Sequence, residues 1–307
     1  MQKLNQLCLK MPLPTLLIAG FQKAGTSSVY KYLEQHPQVC LGTVKEPNFL
    51  VSELTPEKIA NNQAYYEKRT WRCSYENYLE NFLECTNESA IGDGSVNCLF
   101  HYQTSIPRIQ KYIPNTKIFV ILRHPVERAF SDYLMHLRDE IDSKQTLPLV
   151  QQSPSSFQLQ KGLYYESIKS FQDTFGTEQF RVYLYNDLCQ DSIKMMKDIY
   201  NFIEVSTDFE PDTSQKYQTA SIPKNSFINR LLRKQNPLKT VFSSTLGILL
   251  PEEKRQKIRS WLISANSQSK QSVSLSPEER QVLLDYYRED VLKLQDYLDR
   301  DLSAWLK

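Results

Sequence analysis

Two stretches of this chain combine residue types and spacings suited to holding anions. The first is GFQKAGTSS, Gly20 to Ser28. Gly20 and Gly25 stand in the G-x-x-x-x-G spacing of a phosphate-binding loop, between an apolar run and a helical pattern. Glycines let the backbone wrap an anion closely, and the N–H groups and dipole of a helix start stabilise negative charge. The hydroxyls of Thr26, Ser27 and Ser28 add donors. Lys23 lies inside the loop and Ala24 follows it. A nucleoside-triphosphate loop instead has Lys directly after its second glycine, then a Ser or Thr for magnesium. The loop therefore suits a smaller anion, held without an obligatory metal. The second stretch is LRHPVERAFSDY, Leu122 to Tyr133. Arg123 ends the most strand-like run of the chain, KIFVIL, and an open parallel sheet binds ligands at that edge. Ser131 follows about two helical turns later. Arg123 and Ser131 can serve one phosphate, the guanidinium making a forked, charge-assisted contact. Arg128 reads as a solvated or ion-paired structural residue.

The elements that must position these groups follow from apolar patterning. Short apolar runs alternate with longer helical patterns, which points to βαβ units and a parallel sheet. Strands are expected at Thr15–Ala19, Val39–Leu41, Ser89–Gly92, Lys117–Leu122 and Arg181–Tyr185. Helices are expected at Thr26–Gln35, Tyr75–Phe82, Val126–Arg138, Gly162–Phe175 and Asp191–Phe202. Asp142–Lys161 reads as a loop, and Val205–Lys224 as polar and irregular. Near the end, Ser276-Pro277-Glu278-Glu279 is a capping box with Pro in the first helical position. Leu284, Tyr287, Val291, Leu294 and Leu298 then recur at helical spacing, the stripe of a core-facing helix. Leu302 and Trp305 are expected to seal the chain end. The fold class is α/β: a three-layer, phosphate-loop-like fold with a mostly parallel sheet of about five strands and a helical C-terminal part.

Composition narrows the function. The chain has 307 residues, 40% hydrophobic and 23% charged, which excludes a disordered or fibrous protein. A net charge of +2 gives no reason to expect a nucleic-acid polymer as partner, so any anion site is local. No run approaches the ~20 apolar residues of a membrane helix. The six cysteines show no C-x-x-C and no nearby His pair, so zinc is not expected, and reduced thiols in a cytoplasmic protein are the default reading.

The two anion-holding stretches resemble the signatures of sulfotransferases that use 3′-phosphoadenylyl sulfate (PAPS). GFQKAGTSS looks like their 5′-phosphosulfate loop, and LRHPVERAFSDY resembles their L-R-x-P-x-x-R-x-x-S-x-Y segment for the 3′-phosphate. VKEPNFL (Val44–Leu50) is similar to the K-E-x-x-F-F segment of the bacterial and heparan-sulfate branch. GLYYESIKSF and RDLSAWL resemble its G-x-Y helix and its chain end. The resemblance implies one sulfotransferase domain over residues 1–307, with 1–13 as an N-terminal extension. It implies sulfuryl transfer from PAPS to a hydroxyl or amine acceptor, with adenosine 3′,5′-bisphosphate as product and no metal. Lys23, Ala24, Gly25, Thr26, Ser27 and Ser28 would hold the 5′-phosphosulfate. Arg123 and Ser131 would hold the 3′-phosphate, Lys224 would add a closing contact, and Glu46 would be the general base. His101 is the runner-up base, ahead of His124 and His136, and Asp93 could orient a substrate or a base. Tyr65, Tyr66, Trp71 and Tyr75 line an acceptor or form core, and Phe49 is core. Three departures stand out: Leu50 replaces an aromatic, Asn48 a frequent His, and Asp93-Gly94-Ser95-Val96 a more usual E-x-S-P, with a heparan-branch lysine missing at Gly94. The competing readings are a nucleoside-triphosphate kinase or ATPase, and a non-catalytic nucleotide binder.

Overall fold

The run LLIAG (Leu16–Gly20) has every residue buried and forms β1. A strand covered on both faces needs apolar side chains at each position, not at alternate ones. The computed structural model describes residues 12–51, 74–139, 147–214, 221–223, 267–269 and 274–307. After β1 come α1 (Thr26–Leu33), β2 (Val39–Leu41), α2 (Tyr75–Glu80), β3 (Ala90–Asp93) and α3 (Tyr102–Tyr112). Then follow β4 (Lys117–Leu122), α4 (Pro125–Asp139), α5 (Phe157–Gln160), α6 (Tyr165–Gln179), β5 (Phe180–Leu184), α7 (Tyr185–Gln190) and α8 (Ser192–Phe202). The last elements are β6 (Ser221–Pro223), β7 (Ser267–Ser269) and α9 (Pro277–Leu298).

Two compact units divide the chain. Met1–His124, Leu163–Tyr217 and Asp290–Ala304 form the first; Pro125–Gly162, Gln218–Glu289 and Trp305–Lys307 form the second. The first holds a five-stranded sheet in the order β2-β3-β1-β4-β5, with every pairing parallel. The expected α/β class with about five strands is therefore observed. Leu16, Ile18, Phe119 and Ile121 share one core cluster with Val29 and Leu33 of α1 and Met196 and Ile199 of α8. Their alternation along β1 and β4 marks a single sheet face. Toward β4 and β5 the sheet is covered by α6, and the Phe171 and Phe180 rings lie 5.5 Å apart. Asp290 caps the start of α6, accepting from the backbone N–H groups of Tyr164 at 2.7 Å and Tyr165 at 3.2 Å.

In the second unit the capping box forms as read. Ser276 Oγ accepts from Glu279 N at 3.1 Å, and Glu279 Oε2 accepts from Ser276 N at 2.9 Å. Tyr287, in the helical stripe, donates to the Leu159 carbonyl at 3.0 Å. A Cβ on Gly162 would stand 2.5 Å from the Tyr287 ring, so only glycine fits there. Leu302 and Trp305 are buried.

Three expectations need correction. The stretch read as a loop contains a 3-10 turn at Leu149–Gln151 and the short helix α5, whose start Ser156 Oγ caps by accepting from Leu159 N. One turn of helix is too short to leave a periodic signature. Helix α6 begins at Tyr165 and reaches Gln179, with Gly176 at φ 68° breaking its last turn. The third correction concerns the cysteines. Cys40 and Cys85 form a disulfide, with Cα atoms 5.6 Å apart, while among the described residues Cys98 is a buried thiol and Cys189 an exposed one. Their separation of 45 residues hides the pairing from the sequence. Such a bridge restricts the unfolded chain, so Cys40→Ser with Cys85→Ser should cost about 2–4 kcal/mol. Thermal melting of the double variant beside oxidised wild type checks this; coincident melting curves would show that the bridge contributes nothing.

Candidate active site

β1 ends at Gly20, whose φ of 128° and close approach to Ile121 admit only glycine. The chain leaves β1 toward β2 on one side and leaves β4 toward β5 on the other. That makes the C-terminal edge of the β1–β4 pair a topological switch point, where parallel sheets leave a crevice for ligands. The loop Gly20–Gly25 and Arg123 both lie on this edge. Lys23 has φ 73°, which costs a non-glycine residue on the order of 1–2 kcal/mol. The turn aims its carbonyl at Arg123, which donates from Nη1 at 3.0 Å. The Arg123 guanidinium also lies over the Tyr185 ring, 4.9 Å from its centre. Tyr185 in turn packs on Gly25, where a Cβ would come within 2.7 Å of the ring and φ is 91°. Tyr164 donates to the Arg123 carbonyl at 2.8 Å and packs on Phe21 of the loop.

The start of α1 suits an anion. Gly25 is its cap residue, no side chain caps it, and no carboxylate stands in its first turn. Ala24 and Thr26 are buried, while Ser27 and Ser28 are half-buried. Ser27 Oγ accepts from Lys45 Nζ at 2.8 Å. Lys45 lies 3.9 Å from Glu46 Oε1, so a single ammonium links the loop helix to the carboxylate expected to act as base. The Glu46 side chain is 31% exposed and accessible from solvent.

The arm that carries Glu46 is fixed at several points. Asn81, itself buried, accepts from Val44 N at 2.7 Å and Thr43 Oγ1 at 2.9 Å, and donates to the Val44 carbonyl at 3.1 Å. Tyr30 of α1 donates to the Gly42 carbonyl at 2.9 Å. Beyond Glu46, Asn48 adopts φ 56°, a conformation Asn tolerates better than most side chains. It donates from Nδ2 to the Glu46 carbonyl at 2.7 Å and from its backbone to Ser95 Oγ at 3.3 Å. Ser95 N donates to Asp93 Oδ1 at 2.8 Å, and Tyr78 donates to Oδ2 at 2.8 Å. Asp93 is thus a buried anchor of the arm. Burial raises its pKa from 3.8 to about 6, against the lowering effect of the Ser95 and Tyr78 hydrogen bonds.

Other expected residues are placed as follows. Ser131 and Arg128 lie on buried positions of α4 in the second unit. Arg128 is fully buried and ion-paired with Asp132 at 3.3 Å, a structural residue as expected but not a solvated one. His136 lies 3.7 Å from Asp132. His101 stands at the residue before α3 and meets the Phe100 ring edge-on. Phe49 is buried core, stacked on Tyr78. Tyr75 is half-buried against Tyr112. Lys224, Tyr65, Tyr66 and Trp71 lie outside the described residues. Sequence reasoning missed Tyr185, Asn81 and the reach of Lys45. Tyr185 and Asn81 have no motif of their own: Tyr185 directly follows β5, and Asn81 directly follows α2.

A model of the sulfotransferase family matches residues 14–210. The chain belongs to that family. Among solved structures, a sulfotransferase from Alicyclobacillus acidocaldarius is 26% identical; the alignment covers 96% of this chain and 100% of that one, with a TM-score of 0.67. The bifunctional heparan sulfate N-deacetylase/N-sulfotransferase 4 of Mus musculus is 22% identical over 313 residues, covering 96% of this chain and 31% of that protein. The heparan sulfate glucosamine 3-O-sulfotransferase 6 of Mus musculus is 30% identical over 125 residues, covering 40% of this chain and 31% of that protein. This family member spans about a third of the length of those two curated relatives. Among its described residues, no helix is long and apolar enough to cross a membrane.

The raised pKa of Asp93 predicts a pH effect on stability. The folded value of about 6 lies above the unfolded 3.8, so the fold favours the protonated form. That contribution, roughly 3 kcal/mol, is fully present below pH 3.8 and is lost as pH rises through about 6. Relative to Asp93→Asn, wild type should therefore lose melting temperature across this window. A constant difference between the two melting profiles from about pH 4 to about pH 7 would reject the assignment.

Proposed function

We propose that this chain moves a sulfuryl group from PAPS to a hydroxyl or amine acceptor, by in-line displacement with a carboxylate base. The observation that carries the reading is the Arg123–Lys23 contact, which joins the two anion-holding stretches on one sheet edge. Lys23, Ala24, Gly25, Thr26, Ser27 and Ser28 are proposed to hold the 5′-phosphosulfate. Arg123, and Ser131 further along the chain, are proposed for the 3′-phosphate, with Lys224 as a closing contact. Adenosine 3′,5′-bisphosphate is the proposed product, and no metal takes part. Residues 1–307 are proposed as one sulfotransferase domain, with 1–13 as an extension.

A neutral acceptor is a poor nucleophile, so its proton must leave as the new bond forms. Glu46 is the proposed proton acceptor. As the acceptor–sulfur bond forms, the bridging sulfur–oxygen bond breaks, and its electron pair remains on the phosphate. Lys23 and the N–H groups at the start of α1 offset that growing charge. Carbohydrate, lipid and small-metabolite hydroxyls or amines all meet these requirements. The heparan sulfate enzymes among the relatives make carbohydrate the first acceptor class to screen. A cytoplasmic location remains part of the proposal, and the Cys40–Cys85 bridge is the observation that weighs against it.

Calorimetry decides the donor class. Adenosine 3′,5′-bisphosphate should bind tightly without magnesium, and ATP weakly; a preference for magnesium-ATP would overturn the reading. Lys23→Ala should lower kcat by about 10²–10³ with the fold intact. Transfer at near wild-type rate in that variant would remove Lys23 from the mechanism. Glu46→Gln should slow transfer and leave bisphosphate affinity nearly unchanged. The reverse pattern, weak binding with normal turnover, would reject Glu46 as base.

A further inference from the structure

Lys45 has no part in the chemistry proposed so far, yet its position is unusual for a lysine. Its ammonium donates to Ser27 Oγ at 2.8 Å, in the first turn of α1. It also lies 3.9 Å from Glu46 Oε1 and 5.5 Å from the centre of the Tyr30 ring. The side chain is 28% exposed. A cation at a helix start faces the positive end of the dipole, and here no first-turn carboxylate relieves it. Burial pulls the Lys45 pKa below its ordinary value, an effect that Glu46 opposes. A phosphate or sulfonate beside the ammonium and the helix start would offset both costs.

The backbone keeps this place for Lys45. A Cβ on Gly94 would stand 2.7 Å from the Lys45 carbonyl, 3.0 Å from the Tyr30 ring and 3.1 Å from Lys45 Cγ. Residue 94 is therefore bare because the Lys45 stem passes across it. Thr43 and Val44, clamped by Asn81, fix the point from which that stem sets out.

We infer that Lys45 is a second cation of the donor site. With Lys23 it holds the phosphosulfate, and it bridges that group to Glu46. The inference rests on the sulfotransferase reading of the site. During transfer the acceptor oxygen or nitrogen bonds to sulfur, and its proton passes to Glu46. The bridging sulfur–oxygen bond breaks, and its electron pair stays on the 5′-phosphate. Negative charge thus leaves the carboxylate and grows on the phosphate. Lys45 lies between the two, and its flexible stem lets the ammonium follow the charge.

The test combines calorimetric titration of adenosine 3′,5′-bisphosphate with steady-state transfer for wild type, Lys45→Met and Lys45→Arg. Lys45→Met should weaken bisphosphate binding about ten-fold and lower kcat about 10²-fold. Its melting temperature should stay at the wild-type value. Lys45→Arg keeps the charge and the bulk, and should recover most of the affinity but little of kcat, because a planar fork cannot track the moving charge as an ammonium does. Wild-type affinity and kcat in Lys45→Met would overturn the inference and leave the sulfotransferase reading standing. A loss of kcat in Lys45→Met with unchanged bisphosphate affinity would also overturn it, confining Lys45 to Glu46. Wild type that fails to bind the bisphosphate would overturn the donor reading itself.

Discussion

Five register pairs hold β1 against β4, from Leu16 beside Lys117 to Gly20 beside Ile121. Everything at the candidate site hangs from the last of them. With Gly20 alongside Ile121, the loop after β1 and the arginine after β4 emerge at the same height. Arg123 then reaches the Lys23 carbonyl, and Tyr185 fills the space between the guanidinium and Gly25. A slip of one residue would turn every side chain of β1 to the opposite face. Burial on both faces makes such a slip costly, since Leu16 and Ile18 match a core built by α1 and α8. The hydrophobic pattern thereby sets the geometry of a polar site.

A second constraint governs Glu46. Its arm leaves the edge strand β2 and could swing freely, but polar contacts from three directions hold it. Asn81 grips Thr43 and Val44, Tyr30 grips Gly42, and the Asp93–Ser95–Asn48 chain holds the far side. Asn81 and Tyr30 are satisfied by the arm itself, so burying them carries little unpaired polar cost. The disulfide joins β2 to the segment just after α2, close along the chain to Asn81.

Much of this was legible in the residues. Glycines at G-x-x-x-x-G spacing, continuous apolar runs and an S-x-x-E box report local physics, and each formed where its pattern says. Arg123 at a strand end and Glu46 beside Lys45 were legible as residues, but not as a constellation. Three kinds of feature were not legible. Helix α5 is too short for a period to show. The Cys40–Cys85 pairing depends on which strands lie side by side. The partners Tyr185 and Asn81 act through packing and side-chain geometry, and neither belongs to a pattern. Asn48 and Gly94 looked like departures from a family pattern. The structure gives both a physical reason: a left-handed turn at Asn48, and the passage of Lys45 over Gly94.

The Arg123–Lys23 contact spans a hundred residues of chain, and that distance has a consequence for biosynthesis. A ribosome completes GFQKAGTSS long before it reaches the arginine, so the loop spends its first seconds without the guanidinium that sets its shape. Under the proposed function, a nascent chain lacking β4 has no complete donor site and cannot sequester nucleotide. Once β4 has joined, nucleotide that binds the finished edge stabilises the folded chain alone, by RT ln(1 + [L]/Kd). Donor supply in the cell would therefore act on the abundance of this protein as well as on its rate.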